Sequence, residues 1–240
     1  MKKVLSLMLA GIALIANQSH AVTFFADNFE AAGAAGATKI GAPWEMSKAV
    51  YTSSGAYAGG YFPGTTFGPN SIVSGQGGVD QGTYQGKLWP DYDGWWGDWT
   101  DSKVVKTSLL VSKASLTAED IAPGTIQMDF DFKLQPTIGP DARAYSFARI
   151  LSANWADTYW TDWKELTGGD WSHGSNKLTF DGTQVGLNVQ YGFMVVSSNY
   201  QPNGVFVDNV TISNVPEPST ASLLGFGVAG LIATRLRRRS

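Results

Sequence analysis

The middle of the chain alternates hydrophobic and polar residues with the period of two that is typical of β-strands. In the clearest run, Ile126, Met128, Phe130 and Phe132 fall on one side, and Gln127, Asp129 and Asp131 fall on the other. This pattern predicts a strand with one buried face. Similar runs predict strands near 22–29, 71–74, 103–112, 124–134, 143–153, 177–180, 185–197 and 204–213.

The last of these runs alternates in the same way. A regular strand there would place Val205, Val207 and Asn209 on one face, opposite Phe206, Asp208, Val210 and Ile212. The one helical turn predicted is 117–120, and residues 171–174 read as a turn. Many short strands with one polar face predict an all-β fold, an antiparallel jelly-roll-like sandwich.

The segment 52–100 has a different texture, because glycine recurs among scattered aromatic residues. A structureless loop of that length is unusual inside a compact domain. We therefore expect one or two irregular strands and large loops at one end of the sandwich. Its aromatic content argues against disorder.

The N-terminus has the three parts of a secretory signal peptide. Lys2 and Lys3 precede an apolar run over 4–16, and 19–21 form a small-x-small cleavage site. The apolar helix is too short for a membrane span, which needs about 20 apolar residues. We expect cleavage after Ala21, so that 1–21 are removed.

The C-terminal segment, 215–240, also has three parts: Pro216-Glu217-Pro218, an apolar run over 221–233, and a cluster of four arginines. A helix of about 14 residues covers only about 20 Å, less than the ~30 Å of the hydrocarbon core. The arginines should stay on the cytoplasmic side, which predicts transient or permanent membrane insertion with the body on the other side.

This ordered tail resembles the PEP-CTERM sorting signal, with Pro216, Glu217 and Pro218 as its signature. In that family an exosortase, a membrane enzyme of Gram-negative biofilm-forming bacteria, recognises and processes the tail. The resemblance implies a protein of the cell surface or the extracellular matrix, with signal peptidase and exosortase as partners during export. The alternative is an ordinary tail anchor, which leaves the body equally outside the cytoplasm.

Composition narrows the choice of partners for the remaining domain, 22–214. It holds 11 of the 17 basic and 19 of the 20 acidic residues, so its net charge is near −8. Nucleic acid and anionic surfaces are poor partners for such a body, whereas neutral glycans, cations and other proteins remain open. The chain has no cysteine, so its stability depends on packing and not on disulfides.

The first and last strands of the body carry a second resemblance. The runs 24–30 and 204–212 are similar to the terminal strands of jelly rolls of the carbohydrate-binding-module type. In many such modules a first-strand Glu and a last-strand Asp help to hold a structural calcium. The resemblance nominates Glu30 and Asp208, with Asp27 as a third ligand; the alternative is that all three are solvated at strand ends.

Two segments rich in tryptophan and aspartate are candidates for glycan binding. Flat aromatic rings can stack on sugars while neighbouring polar groups bind hydroxyls, and loops are where a sandwich presents such sites. Buried tryptophans that close one end of the sandwich are the alternative. The candidate ligand-binding residues are Trp95, Trp96, Asp98, Trp99, Trp160 and Trp163.

Enzymatic chemistry finds little support in the sequence. Only His173 remains after export, too few ligands for a zinc site and a thin basis for a catalytic triad. The sequence therefore predicts a non-catalytic, exported protein that binds glycan or exopolysaccharide, with no cofactor beyond the implied calcium. The alternatives are a structural surface protein without a specific ligand and a glycan-active hydrolase with an unrecognised pair of acids.

Overall fold

A computed structural model describes residues 23–64, 70–90, 104–122, 124–198 and 201–216. The two terminal segments that the sequence assigns to export and sorting lie outside these ranges, apart from Val215 and Pro216. In the described residues the strands are β1 (Thr23–Asp27), β2 (Glu45–Tyr51), β3 (Tyr57–Gly64), β4 (Asn70–Ser74), β5 (Tyr84–Leu88), β6 (Val104–Lys113), β7 (Gly124–Leu134), β8 (Arg143–Leu151), β9 (Thr158–Glu165), β10 (Ser172–Thr179), β11 (Asn188–Ser198) and β12 (Val205–Pro216).

These strands form two antiparallel sheets that pack face to face. The first sheet has the order β10-β7-β12-β5-β4, and β1 also pairs with β12. The second sheet has the order β3-β2-β6-β11-β8-β9. The all-β antiparallel sandwich that the sequence predicts is thus confirmed.

Two short helices connect strands. The predicted turn is confirmed as α2 (Ala118–Ile121), where Thr117 and Asp120 form a reciprocal capping box. The prediction that it is the one helical turn was wrong, because α1 (Glu30–Ala34) follows β1 directly. Within the ranges described, no helix is long and apolar enough to cross a membrane.

The core lies between the two sheets and contains the face of β7 that the alternation predicts. Ile126, Met128, Phe130 and Phe132 are all buried there. The ring of Phe130 contacts that of Phe193 on β11 edge to face at 4.9 Å, which joins the two sheets.

In β12 the structure corrects the predicted faces. Val205, Val207, Val210 and Ile212 all belong to one core cluster, although simple alternation separates the first two from the last two. The register of β12 against β7 shifts between Asp208 and Thr211, and Asn209 has a φ of 48°. This β-bulge adds one residue to the strand, so the hydrophobic residues on either side of it face the same way.

Outside the irregular segment 52–100, three strands were not predicted, or only in part. The buried face of β2 includes Lys48 between Met46 and Val50, which interrupts the apolar alternation. The strand β9 is at the edge of its sheet and carries polar or exposed residues at most positions. The turn predicted at 171–174 was wrong, because β10 already begins at Ser172.

Candidate functional site

The structure describes two of the six candidate aromatic and acidic residues. Trp160 and Trp163 lie on β9 and not on a loop, and their exposed fractions are 45% and 39%. Trp163 is opposite Phe147 on the neighbouring strand, whereas Trp160 is opposite the core residue Ile150. The two tryptophans therefore point to opposite faces of the sheet. Trp95, Trp96, Asp98 and Trp99 lie outside the described residues.

Trp163 belongs to the outer face of the second sheet, the face that points away from the first sheet. Its ring centroid is 4.7 Å from that of Phe147 and 6.2 Å from that of Tyr145. Phe147 is almost completely buried, although it lies on an outer face. Trp163 is thus held on an aromatic base while a large part of its surface remains open to solvent.

A row of hydrogen-bonded polar side chains crosses the same outer face beside these rings. The guanidinium of Arg149 donates from Nε and Nη2 to Oε1 of Gln190, at 2.8 and 2.5 Å. Gln190 Nε2 donates to Ser112 Oγ at 3.1 Å, and Ser112 Oγ donates to Glu45 Oε2 at 2.9 Å. The row spans four adjacent strands, β8, β11, β6 and β2, so each member fixes the orientation of the next.

Arg149 is the positively charged member of this row. Its guanidinium lies 5.3 Å from the ring centroid of Phe147, and burial lowers the pKa of the group. Within the described ranges no carboxylate forms an ion pair with it, whereas Arg143 on the same strand pairs with Glu165 at 3.2 Å. Sequence reasoning missed Arg149; the available signal was a cation between Ala148 and Ile150, inside the strand predicted over 143–153.

The carboxylates named for calcium surround the bulge of β12 in the first sheet. One side of β12 pairs with β5 up to Val207 and with β1 from Val210 onwards, so Asp208 lies where the partner strand changes. Glu30 bridges this break, because its Oε1 accepts hydrogen bonds from the backbone N–H groups of Thr83 and Tyr84.

Asp208 is the buried member of this group, with 1% of its surface exposed. Its Oδ1 accepts the backbone N–H of Asn209, but among the described residues its Oδ2 has no hydrogen-bond partner. Burial, followed by the carboxylates of Glu30, Asp131 and Asp27, raises the pKa of Asp208 to about 7. A buried carboxylate oxygen without a donor is unusual, and a carboxylate oxygen is a ligand that calcium accepts.

The other carboxylates fit a calcium ion unequally. Both oxygens of Asp27 accept hydrogen bonds, from the Phe29 N–H at 2.8 Å and from the Trp44 indole at 2.8 Å. In the part of the chain that is described, no three Asp, Glu, His or Cys side chains converge as a metal-binding group. A calcium ion here would need main-chain oxygens besides Asp208 and Glu30, and calcium accepts such ligands.

Asp129 and Asp131, on the outer face of the first sheet, are a pair of acids that tests the alternative of a glycan-active hydrolase. Asp131 Oδ1 is 3.1 Å from His173 Nδ1, and Asp129 Oδ1 is 3.6 Å from His173 Nε2. Burial raises the pKa of Asp131, but hydrogen bonds from Asn209, Gln81 and His173 outweigh it and lower the pKa below 3.8. The general acid of a glycosidase needs a raised pKa, so Asp131 is unsuited to that role.

Comparison with known proteins identifies the C-terminal segment. Residues 214–239 match the PEP-CTERM protein-sorting motif. The predicted sorting motif, Pro216-Glu217-Pro218, lies within this match, which implies export and association with the cell surface. Pro216 is also the last residue of β12, where it pairs with Gly124, so the sorting motif begins at the end of this strand. No curated protein matches the chain.

Several solved β proteins are similar to the chain at low sequence identity. A Stig cyclase, Fisc from Fischerella sp. TAU, has a TM-score of 0.46 at 15% identity, with 82% of this chain and 99% of that chain covered. The C-terminal family 22 carbohydrate binding module of Clostridium thermocellum Xyn10B has 0.38 at 14%, covering 81% and 93%. The bacteriophage CBA120 tailspike protein 4 has 0.42 at 12%, covering 71% of this chain and 19% of that chain. With TM-scores below 0.5, none of these likenesses bears on what this protein binds.

Proposed function

We propose that this protein is an exosortase-processed surface protein whose β-sandwich binds extracellular polysaccharide without catalysing a reaction. The observation that carries the proposal is the position of Trp163, an exposed ring on an aromatic base beside a fixed row of hydrogen-bonding groups. Sugar rings present flat C–H faces to an aromatic ring and hydroxyls to neighbouring amides and guanidinium groups. The outer face of the second sheet offers both within adjacent strands.

Trp160, the other candidate tryptophan on β9, has a different role in the same proposal. Trp160 lies on the face of β9 opposite to Trp163, and one flat ligand cannot stack on both rings. We therefore assign the primary contact to Trp163 and a secondary contact at the sheet edge to Trp160. Trp95, Trp96, Asp98 and Trp99 remain predicted glycan contacts from the sequence.

The test is a tryptophan-fluorescence titration of the exported chain, purified with its C-terminal segment, against bacterial exopolysaccharides and plant glucans. We expect a saturable spectral shift that Trp163→Ala abolishes and Trp160→Ala retains in reduced form. Both variants remove an exposed indole from the same strand, so each is the matched control for the other. A flat response in all three proteins, with Trp163→Ala losing stability, would favour a structural surface protein without a specific ligand.

We also propose that a structural calcium ion binds at the β12 bulge, held by Asp208 and Glu30 with main-chain oxygens. Asp27 would contribute negative charge, because its oxygens are already hydrogen-bonded to Trp44 and Phe29. The ion would join the start of the sandwich to its last strand. Isothermal titration calorimetry with calcium tests this, and binding that survives Asp208→Asn unchanged would contradict it.

A further inference from the structure

Arg149 is a partly buried cation on the face to which we assign glycan binding, and no carboxylate of the described residues forms an ion pair with it. Arg143 provides an internal comparison, because it lies on the same strand and has a carboxylate partner in Glu165. Arg149 instead contacts a neutral amide and an aromatic ring. Buried charges in folded proteins are normally paired, so an unpaired one beside an exposed ring indicates that the partner comes from a ligand.

The acidic group within the polar row, Glu45, forms no ion pair with Arg149. Glu45 lies on β2, and β6 and β11 separate that strand from β8. Gln190 and Ser112 lie between the two charged groups, so the carboxylate of Glu45 does not contact the guanidinium of Arg149. Glu45 acts through Ser112 on the orientation of Gln190, and it is linked to Arg149 through these two neutral side chains.

The guanidinium is held in one orientation before any ligand arrives. Nε and Nη2 are engaged by Gln190, and the group lies over the ring of Phe147. The edge that carries Nη1 remains for another acceptor. A guanidinium edge matches the two oxygens of a carboxylate, and a group that is already oriented loses little freedom on binding.

The distance from this edge to the aromatic platform suits one sugar residue with its substituent. Trp163 is opposite Phe147, and Arg149 follows two residues later on the same face of β8. Diagonal neighbours of this kind are about 7–8 Å apart across an antiparallel pair. A sugar ring stacked on Trp163 would therefore place a carboxylate at its edge within reach of Arg149.

We infer that the outer face of the second sheet recognises an acidic polysaccharide, with a uronic acid carboxylate on Arg149 and its ring on Trp163. This inference rests on the proposed glycan-binding function and names the class of glycan. The net charge of the body, near −8, repels polyanions at long range, so recognition depends on this local contact. Moderate salt should therefore not abolish binding, in contrast to binding by a diffuse basic patch.

The experiment compares polygalacturonate with the same polymer after reduction of its carboxyl groups. Binding of the full exported chain is measured by affinity electrophoresis and calorimetry at pH 7, in 150 mM NaCl and with EGTA to exclude calcium bridges. We expect Arg149→Gln to weaken polygalacturonate binding by about tenfold or more, as for loss of a charge-assisted hydrogen bond. Binding of the reduced polymer should be weak and unchanged by this substitution. Arg143→Gln removes the same charge from the same strand and should change binding less than twofold.

Other binding results would refute either the carboxylate contact or the proposed function. Equal binding of both polymers, or full affinity in Arg149→Gln, would refute the carboxylate contact and leave glycan binding intact. Binding to neither polymer nor to any neutral glycan would refute the proposed function itself. Tighter, Arg149-dependent binding of dextran sulfate would replace the uronic acid with a sulfate ester. Near-UV circular dichroism of both arginine variants separates loss of binding from loss of fold.

Discussion

Substituting Asp208 by Asn should stabilise the calcium-free protein. The carboxylate is buried, its Oδ2 has no partner among the described residues, and the carboxylates of Glu30, Asp131 and Asp27 repel its negative charge. Asn has the same shape without the charge, and its amide oxygen can still accept the backbone N–H of Asn209. The substitution therefore removes repulsion and desolvation while keeping the one hydrogen bond that Asp208 makes.

The size of the effect follows from the pKa of Asp208, which rises from 3.8 to about 7 mainly because the group is buried. A raised pKa means that the folded state holds the proton more tightly, so the stability from protonated Asp208 is present below pH 4 and lost as the pH rises through 7. Since one pKa unit corresponds to about 1.4 kcal/mol, the loss reaches about 4 kcal/mol at pH 8. Asn is neutral throughout, so its advantage should grow from about 0.5 kcal/mol at pH 4 to about 4 kcal/mol at pH 8.

The assay is thermal and urea unfolding in EGTA at pH 4, 6 and 8. For a domain of this size, about 4 kcal/mol corresponds to a rise in Tm of about 8 to 16 °C at pH 8. The matched control is Asp170→Asn, which removes one negative charge from an exposed position. It should change the free energy of unfolding by less than about 0.5 kcal/mol at every pH.

An Asp208→Asn protein that is equally or less stable than the wild type at pH 8 would refute this account of the bulge. A gain that does not depend on pH would refute it as well, since the cause would then not be ionisation. Repeating the unfolding measurements in calcium separates the effect of Asp208 ionisation from the effect of calcium binding. The wild type should gain stability from the ion while Asp208→Asn should not, and a wild type that is indifferent to calcium would refute the ion site alone.

Two further predictions concern the core and the bulge. Phe130→Ala should lower the free energy of unfolding by about 3–5 kcal/mol in a urea titration, because it leaves a cavity against Phe193 between the sheets; a loss below 1 kcal/mol would contradict that packing. Asn209→Ala and Asn209→Gly both lose the hydrogen bonds to Asp80 and Asp131, but only Ala carries a Cβ into the left-handed conformation. Ala should therefore be less stable than Gly by about 1 kcal/mol, and equal stabilities would show that the backbone conformation is not strained.

The fold class could be predicted because strand periodicity is a local property. The run that forms β7 carries four apolar residues on one face. That face has to be buried against other elements that also carry an apolar face, which favours a sandwich. The edge strand β9 was missed because its sequence lacks this periodicity. An edge strand need not bury either face completely, so apolar and polar residues need not alternate along it.

The candidate site was predictable in part. Sequence singled out Trp163 and Trp160 as aromatic residues among polar ones, but it could not separate them by face or place them on a strand. Arg149 was missed altogether, because its role depends on its surroundings: an amide from β11, a ring from its own strand, and no ion pair with a carboxylate in the part of the chain that is described.

The sequence by itself determined what depends on neighbours along the chain: the C-terminal sorting motif, the strand-rich body and its acidic charge. Only the tertiary structure decided how residues far apart in sequence combine. The bulge at Asp208 turns two apolar pairs to one face and buries a carboxylate among Glu30, Asp131 and Asp27. One extra residue in a strand reverses every side chain after it, and the period of two in the sequence does not reveal where that residue is inserted.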